Sequence, residues 1–502
     1  MMTTNDRAAR ILPLVHELKD IAGVMNILSW DQETYMPAKA ASVRAQQLAT
    51  LQGIYHERLT APPLGEAIAT LEADPDATET ERAMVRSLRL ERDRAVKVPA
   101  RLVRAIAETQ VIALEAWREA RRMRDFVVFR PHLEKLLSLK REQADAIGYE
   151  GERYNALLEA YEPGLRVACL GELFAALRPR LVSLVQAIGG SGRQLRNPLA
   201  NRRFDPDKQW ELTLRVLADM GFDFGAGRQD RSTHPFTGGA NHPHDVRITT
   251  RIDPGSLVSG LMSSVHEAGH ALYEQGLPLA HARTYLAQAP SCSVHESQSR
   301  FWENMIGRSL PFWSHYLPEL RRLFGAELQS VSVEDLYAAV NTVRPSLIRV
   351  EADEVTYNLH VMVRFELELA LLRDDLRPAD LPDSWRKLMD EYLGVVPTSD
   401  LDGVLQDIHW ACGDIGYFPS YTLGNIISAM LLEKMLGDIP ALWELVGRGE
   451  LRPIVEWQRA NIHVHGFRYR AEELVERATG RRICESPFID YLDKKYRPLY
   501  GI

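Results

Sequence analysis

Leucine, isoleucine and valine recur at helical spacing along most of this chain. Over residues 5–29 they alternate in that rhythm with charged residues, and residues 30–37 break it. A second helix is predicted over 38–58. Pro62-Pro63 and Asp74-Pro75-Asp76 read as breakers. Thr78 or Thr80 then opens a helix to about residue 96. Pro99 starts another, with Leu102, Ile106, Ala113 and Trp117 on one stripe. The rhythm resumes over 131–146, 154–161 and 170–188, and all of these read as core-packing helices.

Gly189-Gly190-Ser191-Gly192 begins a polar stretch that ends near Asp205-Pro206. No strand precedes it, so it reads as a linker between two lobes, not as a phosphate-binding loop. Another helix runs to about Met220. Residues 221–254 then change texture, being rich in Gly, His, Asp and Thr. Within them 245–251 alternates and is β-branched, the best strand candidate in the chain. His234-Pro235-Phe236 and His242-Pro243-His244 fall in loops before it.

That segment leads into a helix with clear punctuation. Pro254-Gly255 precedes it, Ser256 can cap it, and Leu257, Leu261, Val265 and Leu272 form a buried stripe. Gly276 stands at its end and Pro278 follows. A helix from Ser293 to about Gly307 comes next, and Ser332 with Asp335 caps another. Pro345 fits the first turn of a long helix to about residue 373. Arg349, Asp353, Tyr357 and His360 would share a polar face on it, suited to water or to a groove wall. Residues 403–425, dense in aromatics and glycines, read as an irregular wall. Residues 426–502 read as helices with a polar turn near 447–450.

The chemistry sits on the punctuated helix, which contains His266-Glu267-Ala268-Gly269-His270. Side chains four apart on a helix lie on one face, so both imidazoles can aim at one cation. Glu267 is rotated away from that face, in reach of a water held there. This is the zinc-peptidase signature. A three-ligand site needs one more donor. Glu296 lies 26 residues beyond His270, far enough for a loop and a return helix. Spacing alone leaves Glu296 and its neighbour His295 equal, and Ser293 with Glu296 also fits a capping box.

Charged residues are 25% and the net charge of −8 is spread along the chain, so nothing calls for nucleic acid or a membrane surface. Cys169, Cys292, Cys412 and Cys484 have no C-x-x-C spacing, which predicts neither a thiolate metal site nor a disulfide framework. A reducing cytoplasm is the simplest expectation. No signal peptide or apolar run of membrane-spanning length is read.

Taken in order, the motifs resemble the carboxypeptidase Taq family of metallocarboxypeptidases. The matching blocks are His234-Pro235-Phe236; Asp245-x-Arg247-x-Thr249; His266-Glu267-x-x-His270; His295-Glu296-Ser297-Gln298; Ile348-Arg349-x-x-Ala352-Asp353; and Gly403-x-x-Gln406-Asp407-x-His409-Trp410. Residues 29–37 are similar to the family's N-terminal region too. The resemblance implies a mainly α, two-lobed body over residues 1–502, forming one metallocarboxypeptidase domain with a deep central groove and a small β-sheet beside the metal. It implies a homodimer acting on peptides, with zinc, or cobalt in its place, held by His266, His270 and Glu296. It implies release of single C-terminal residues with broad preference and Glu267 as general base. Arg349 becomes the anchor for the terminal carboxylate, and His234, His409 and Tyr421 become substrate contacts. The rival readings are an endopeptidase, oligopeptidase or aminopeptidase on the same site, and a helical scaffold with a structural metal.

Overall fold

The computed structural model describes residues 4–502. It is 68% helical with one three-stranded sheet, as the resemblance implies. Strand β3 (Asp245–Thr250) is central, parallel to β1 (Gly227–Arg231) and antiparallel to β2 (Thr237–His242). Two of these strands escaped the sequence reading, because glycine and histidine in 237–242 give no alternating pattern.

The sheet lies under the Leu257–Gly276 helix, called here the motif helix. Ser256 caps it by accepting from Ser259 N, and Leu257, Leu261, Val265 and Leu272 are buried. The next helix, Cys292–Arg300, is capped by Ser291 and not by Ser293. Ser293 instead donates its hydroxyl to the buried Glu162, at 2.6 Å. This helix runs on as a wider π turn over Phe301–Ile306.

Four sequence expectations need correction. The first helix does not stop at residue 29 but spans Thr4–Thr34. Its polar–aromatic end is tertiary: Trp30 is buried with Arg247 over its ring at 4.5 Å, and Tyr35 donates to Asp230 at 2.5 Å. Pro62-Pro63 starts the helix Pro62–Glu72, since a first turn needs no amide donors. The long helix expected from Pro345 starts only at Tyr357, behind a 3-10 turn at Arg349–Glu351. Asp353 is the reason. Its carboxylate accepts from the amides of Arg344, Val355 and Thr356, so these are withdrawn from a continuous helix. Finally, Pro419–Asp438 is a helix, so the irregular wall ends at residue 418. Its first two turns are mostly buried and present no polar face from which helical periodicity is legible.

The largest buried cluster runs from Ala113 to Tyr500 and includes Leu199 and Phe204, so residues 189–205 do not divide it. A smaller separate core joins Ile11–Leu88 to Tyr285 and Leu286, and this is where the second packed body lies. No helix among the described residues is long and apolar enough to cross a membrane.

Candidate active site

One turn apart on the motif helix, His266 and His270 both face a cavity of about 620 Å³. Glu296 reaches the same point from the Cys292–Arg300 helix. One donor atom from each residue lies within 4.8 Å of the others, with Nε2 of His270 and of His266 at 3.4 and 3.9 Å from Glu296 Oε2. Ligands about 2.0–2.1 Å from a tetrahedral cation stand roughly 3.4 Å apart, so this donor set fits a divalent ion.

The distal nitrogens are held as well. His266 Nδ1 meets Glu303 Oε2 at 2.9 Å. His270 Nδ1 faces the His295 carbonyl at 3.1 Å and His295 Nδ1 at 2.6 Å, while His295 Nε2 donates to Glu274 at 2.8 Å. With His270 Nε2 turned to the cavity, its Nδ1 carries the hydrogen and His295 accepts. Geometry therefore separates the two candidates that spacing left equal: Glu296 joins the imidazole pair, and His295 stands behind it.

Electrostatics keeps Glu296 and His270 in ligating form, while at His266 burial is outweighed by Glu296 and Glu303, which raise it. Burial opposes charge on Glu296, yet Arg300 and the two imidazoles hold its carboxyl well below the usual carboxylate range. Burial and His295 lower His270 to about 4, so its ring is neutral at neutral pH. Glu267 is also buried, and burial pushes it up, against His266 and Thr237. Thr237, on β2, donates to Glu267 Oε2 at 2.6 Å, so the sheet sets this carboxylate's direction.

Arg349 lies deeper and is 5% exposed. Its Nε and Nη2 donate to Asp407 Oδ1 at 3.0 and 2.8 Å, and Nη1 donates to the Tyr357 hydroxyl at 2.8 Å. Arg364 holds the other oxygen of Asp407 at 2.7 Å. Two buried guanidinium groups thus share one carboxylate. Tyr421 lines the cavity with Arg349 over its ring at 5.0 Å, and its hydroxyl is 3.3 Å from His409 Nε2. Burial and Arg349 lower His409 to about 4, and its Nδ1 is buried without a partner. A bridge joins this cluster to the metal triad: Arg300 sits over the Tyr357 ring at 4.7 Å and donates to Glu296 at 2.6 Å.

His234 is not brought into the cavity. Its side chain is exposed, and the following residues Pro235, Phe236 and Thr237 line the wall instead. Sequence reasoning missed Thr237, Arg300 and Glu303. Arg300 and Glu303 were findable, because Glu296, Arg300 and Glu303 fall four and seven apart on a helix that is otherwise buried. Thr237 carries no such pattern.

The model of the carboxypeptidase Taq (M32) metallopeptidase family matches residues 10–496. The chain is 43% identical to thermostable carboxypeptidase 1 of Thermus thermophilus, over 100% of both chains. It is 36% identical to carboxypeptidase 1 of Bacillus subtilis, over 97% of each. Among solved structures it is similar to an M32 carboxypeptidase from Deinococcus radiodurans, at 39% identity and a TM-score of 0.96, covering 99% of this chain and 100% of that one. With a His-His-Glu group that fits a divalent ion at its centre, the chain belongs to the carboxypeptidase Taq (M32) family, as a metallocarboxypeptidase.

Proposed function

We propose that the chain removes single residues from peptide C-termini with zinc held by His266, His270 and Glu296, a set that cobalt would also fit. Such a cation supplies Lewis-acid polarisation of water and of the scissile carbonyl. Glu267 takes the proton of the attacking water and passes it to the leaving amine, and its raised pKa suits both transfers. Thr237 holds the carboxylate during the exchange. Tyr421 donates its hydroxyl to the developing oxyanion, and His409, neutral and 3.3 Å away, orients that hydroxyl.

The single observation that carries the exopeptidase register is the pair of buried arginines on one carboxylate. Arg349 and Arg364 against Asp407 leave one positive charge buried near Tyr421. An unbalanced buried charge is costly, and a substrate carboxylate offsets it. Arg349 is the anchor because its ring neighbour Tyr421 opens on the cavity, whereas Arg364 is fully buried. Tyr161, Tyr417 and Tyr421 on the wall give the terminal side chain broad apolar contact instead of one directed partner. A homodimer in the cytoplasm remains the proposed setting.

Arg349→Ala tests the register. We expect KM for an N-acyl dipeptide with a free carboxylate to rise about thirtyfold or more, matching loss of a charged hydrogen bond of about 2 kcal/mol. Slow cleavage of the C-terminal amide should stay unchanged. Equal loss on both substrates would contradict the anchor.

A further inference from the structure

Glu368 lies on the Tyr357–Leu372 helix and is 1% exposed. Three donors converge on its carboxylate. Trp410 Nε1–H donates to Oε1 at 2.9 Å, the Tyr154 hydroxyl to Oε2 at 2.8 Å, and the Gly416 amide to Oε2 at 3.1 Å. Among the described residues no lysine, arginine or histidine pairs with it; the titratable groups that act on it or feel it are Tyr154, Tyr161 and Asp414, with Lys140 offsetting Asp414. A buried carboxylate without a counter-charge is expensive to keep. Its donors are therefore informative, and two of the three belong to the loop between residues 403 and 418.

Arg364 sits one turn earlier on the same helix, facing the same loop. It donates to Asp407 and to Gln406, each at 2.7 Å. The two residues thus fasten consecutive parts of the loop: Arg364 holds 406–407, and Glu368 holds 410 and 416. His409 lies between the two fastenings. The loop has little slack at its far end, since Gly416 has φ +97° and a Cβ there would come 3.1 Å from the Leu158 amide nitrogen.

We propose that Glu368 is a positioning residue for the terminal-carboxylate pocket: by holding Trp410 and Gly416 it fixes the loop that carries Asp407 and His409, and so the direction in which Asp407 holds Arg349. This rests on Arg349 being the anchor. Burial raises Glu368 to about 7, so the hub changes charge across neutral pH. On the alkaline side the ionised carboxylate accepts from all three donors.

Glu368→Gln leaves one donor mismatched, because its amide offers one acceptor oxygen to two obligate donors on opposite sides, Trp410 and Gly416. The full-length, metal-loaded enzyme is assayed with an N-acyl dipeptide at about pH 8. The variant should show KM raised about fivefold over wild type, the scale of one buried hydrogen bond, with kcat changed less. A purely structural role would lower the folded fraction and leave KM alone, and that result overturns the proposal. If Glu368→Gln does not fold, Trp410→Phe removes one donor without stranding another. It should raise KM in the same direction by less, and an unchanged KM overturns the proposal. Arg349→Ala, run in parallel, separates the two claims. If it raises KM while the Glu368 and Trp410 variants do not, only the positioning role fails; if it leaves KM unchanged, the anchor fails and takes this route with it.

Discussion

Glu267 and its neighbours show how individual side chains divide the work. His266 and His270 each have one nitrogen on the cavity and the other fixed, by Glu303 and by His295 with Glu274. Such outer partners set tautomer and ring direction. Glu267 is not among the three donors that converge, so its removal should spare metal binding. Glu267→Gln is expected to keep full metal stoichiometry by elemental analysis while kcat falls about a hundredfold or more, the scale of general base catalysis. Full activity in the loaded variant would contradict the base assignment. The imidazole pair and Glu267 are legible in sequence because helix geometry alone relates positions 266, 267 and 270. The choice between Glu296 and His295 is not, since adjacent positions on a helix differ only by rotation, and rotation is set by what the helix packs against.

That packing belongs to whole elements. The Cys292–Arg300 helix lies against the Pro419–Asp438 helix, and Gly424 lies directly against Glu296. A Cβ at 424 would meet Glu296 Cγ at 2.6 Å, where no real Cβ sits. Gly424→Ala should therefore push the carboxylate off the imidazole pair and weaken metal affinity at least tenfold by competition with a chelator. Wild-type affinity in a folded variant would show that Glu296 is free of this contact. Elements also explain what sequence reading lost. Asp353 takes amides that helical periodicity assigns to a helix through 345–356. The Pro419–Asp438 helix buries so much of its circumference that aromatics and glycines read as a loop. The capped, one-sided motif helix was legible because one stripe and one cap define it.

At the scale of the whole molecule, the cavity lies between the two larger of the three apolar clusters among the described residues. Asn26, Leu90 and Arg94, on the helices that carry the smaller core, line one side; the motif helix, from the larger core, lines the other. Tyr285 and Leu286, from the loop between the motif helix and Glu296, pack into the smaller core and tie that side to the segment that carries Glu296. The mainly helical form with one small sheet was legible from periodicity and resemblance. The place of division was not: residues 189–205 look like a linker, yet Leu199 and Phe204 bury themselves in the larger core. A mass-spectrometric time course on an unmodified peptide of mixed sequence, with a chelated and a zinc-restored sample alongside, tests the central claim most directly. The account predicts a ladder of single C-terminal losses that stops with the chelator and resumes with zinc. Internal cuts, N-terminal losses, or a ladder that persists without metal would contradict it.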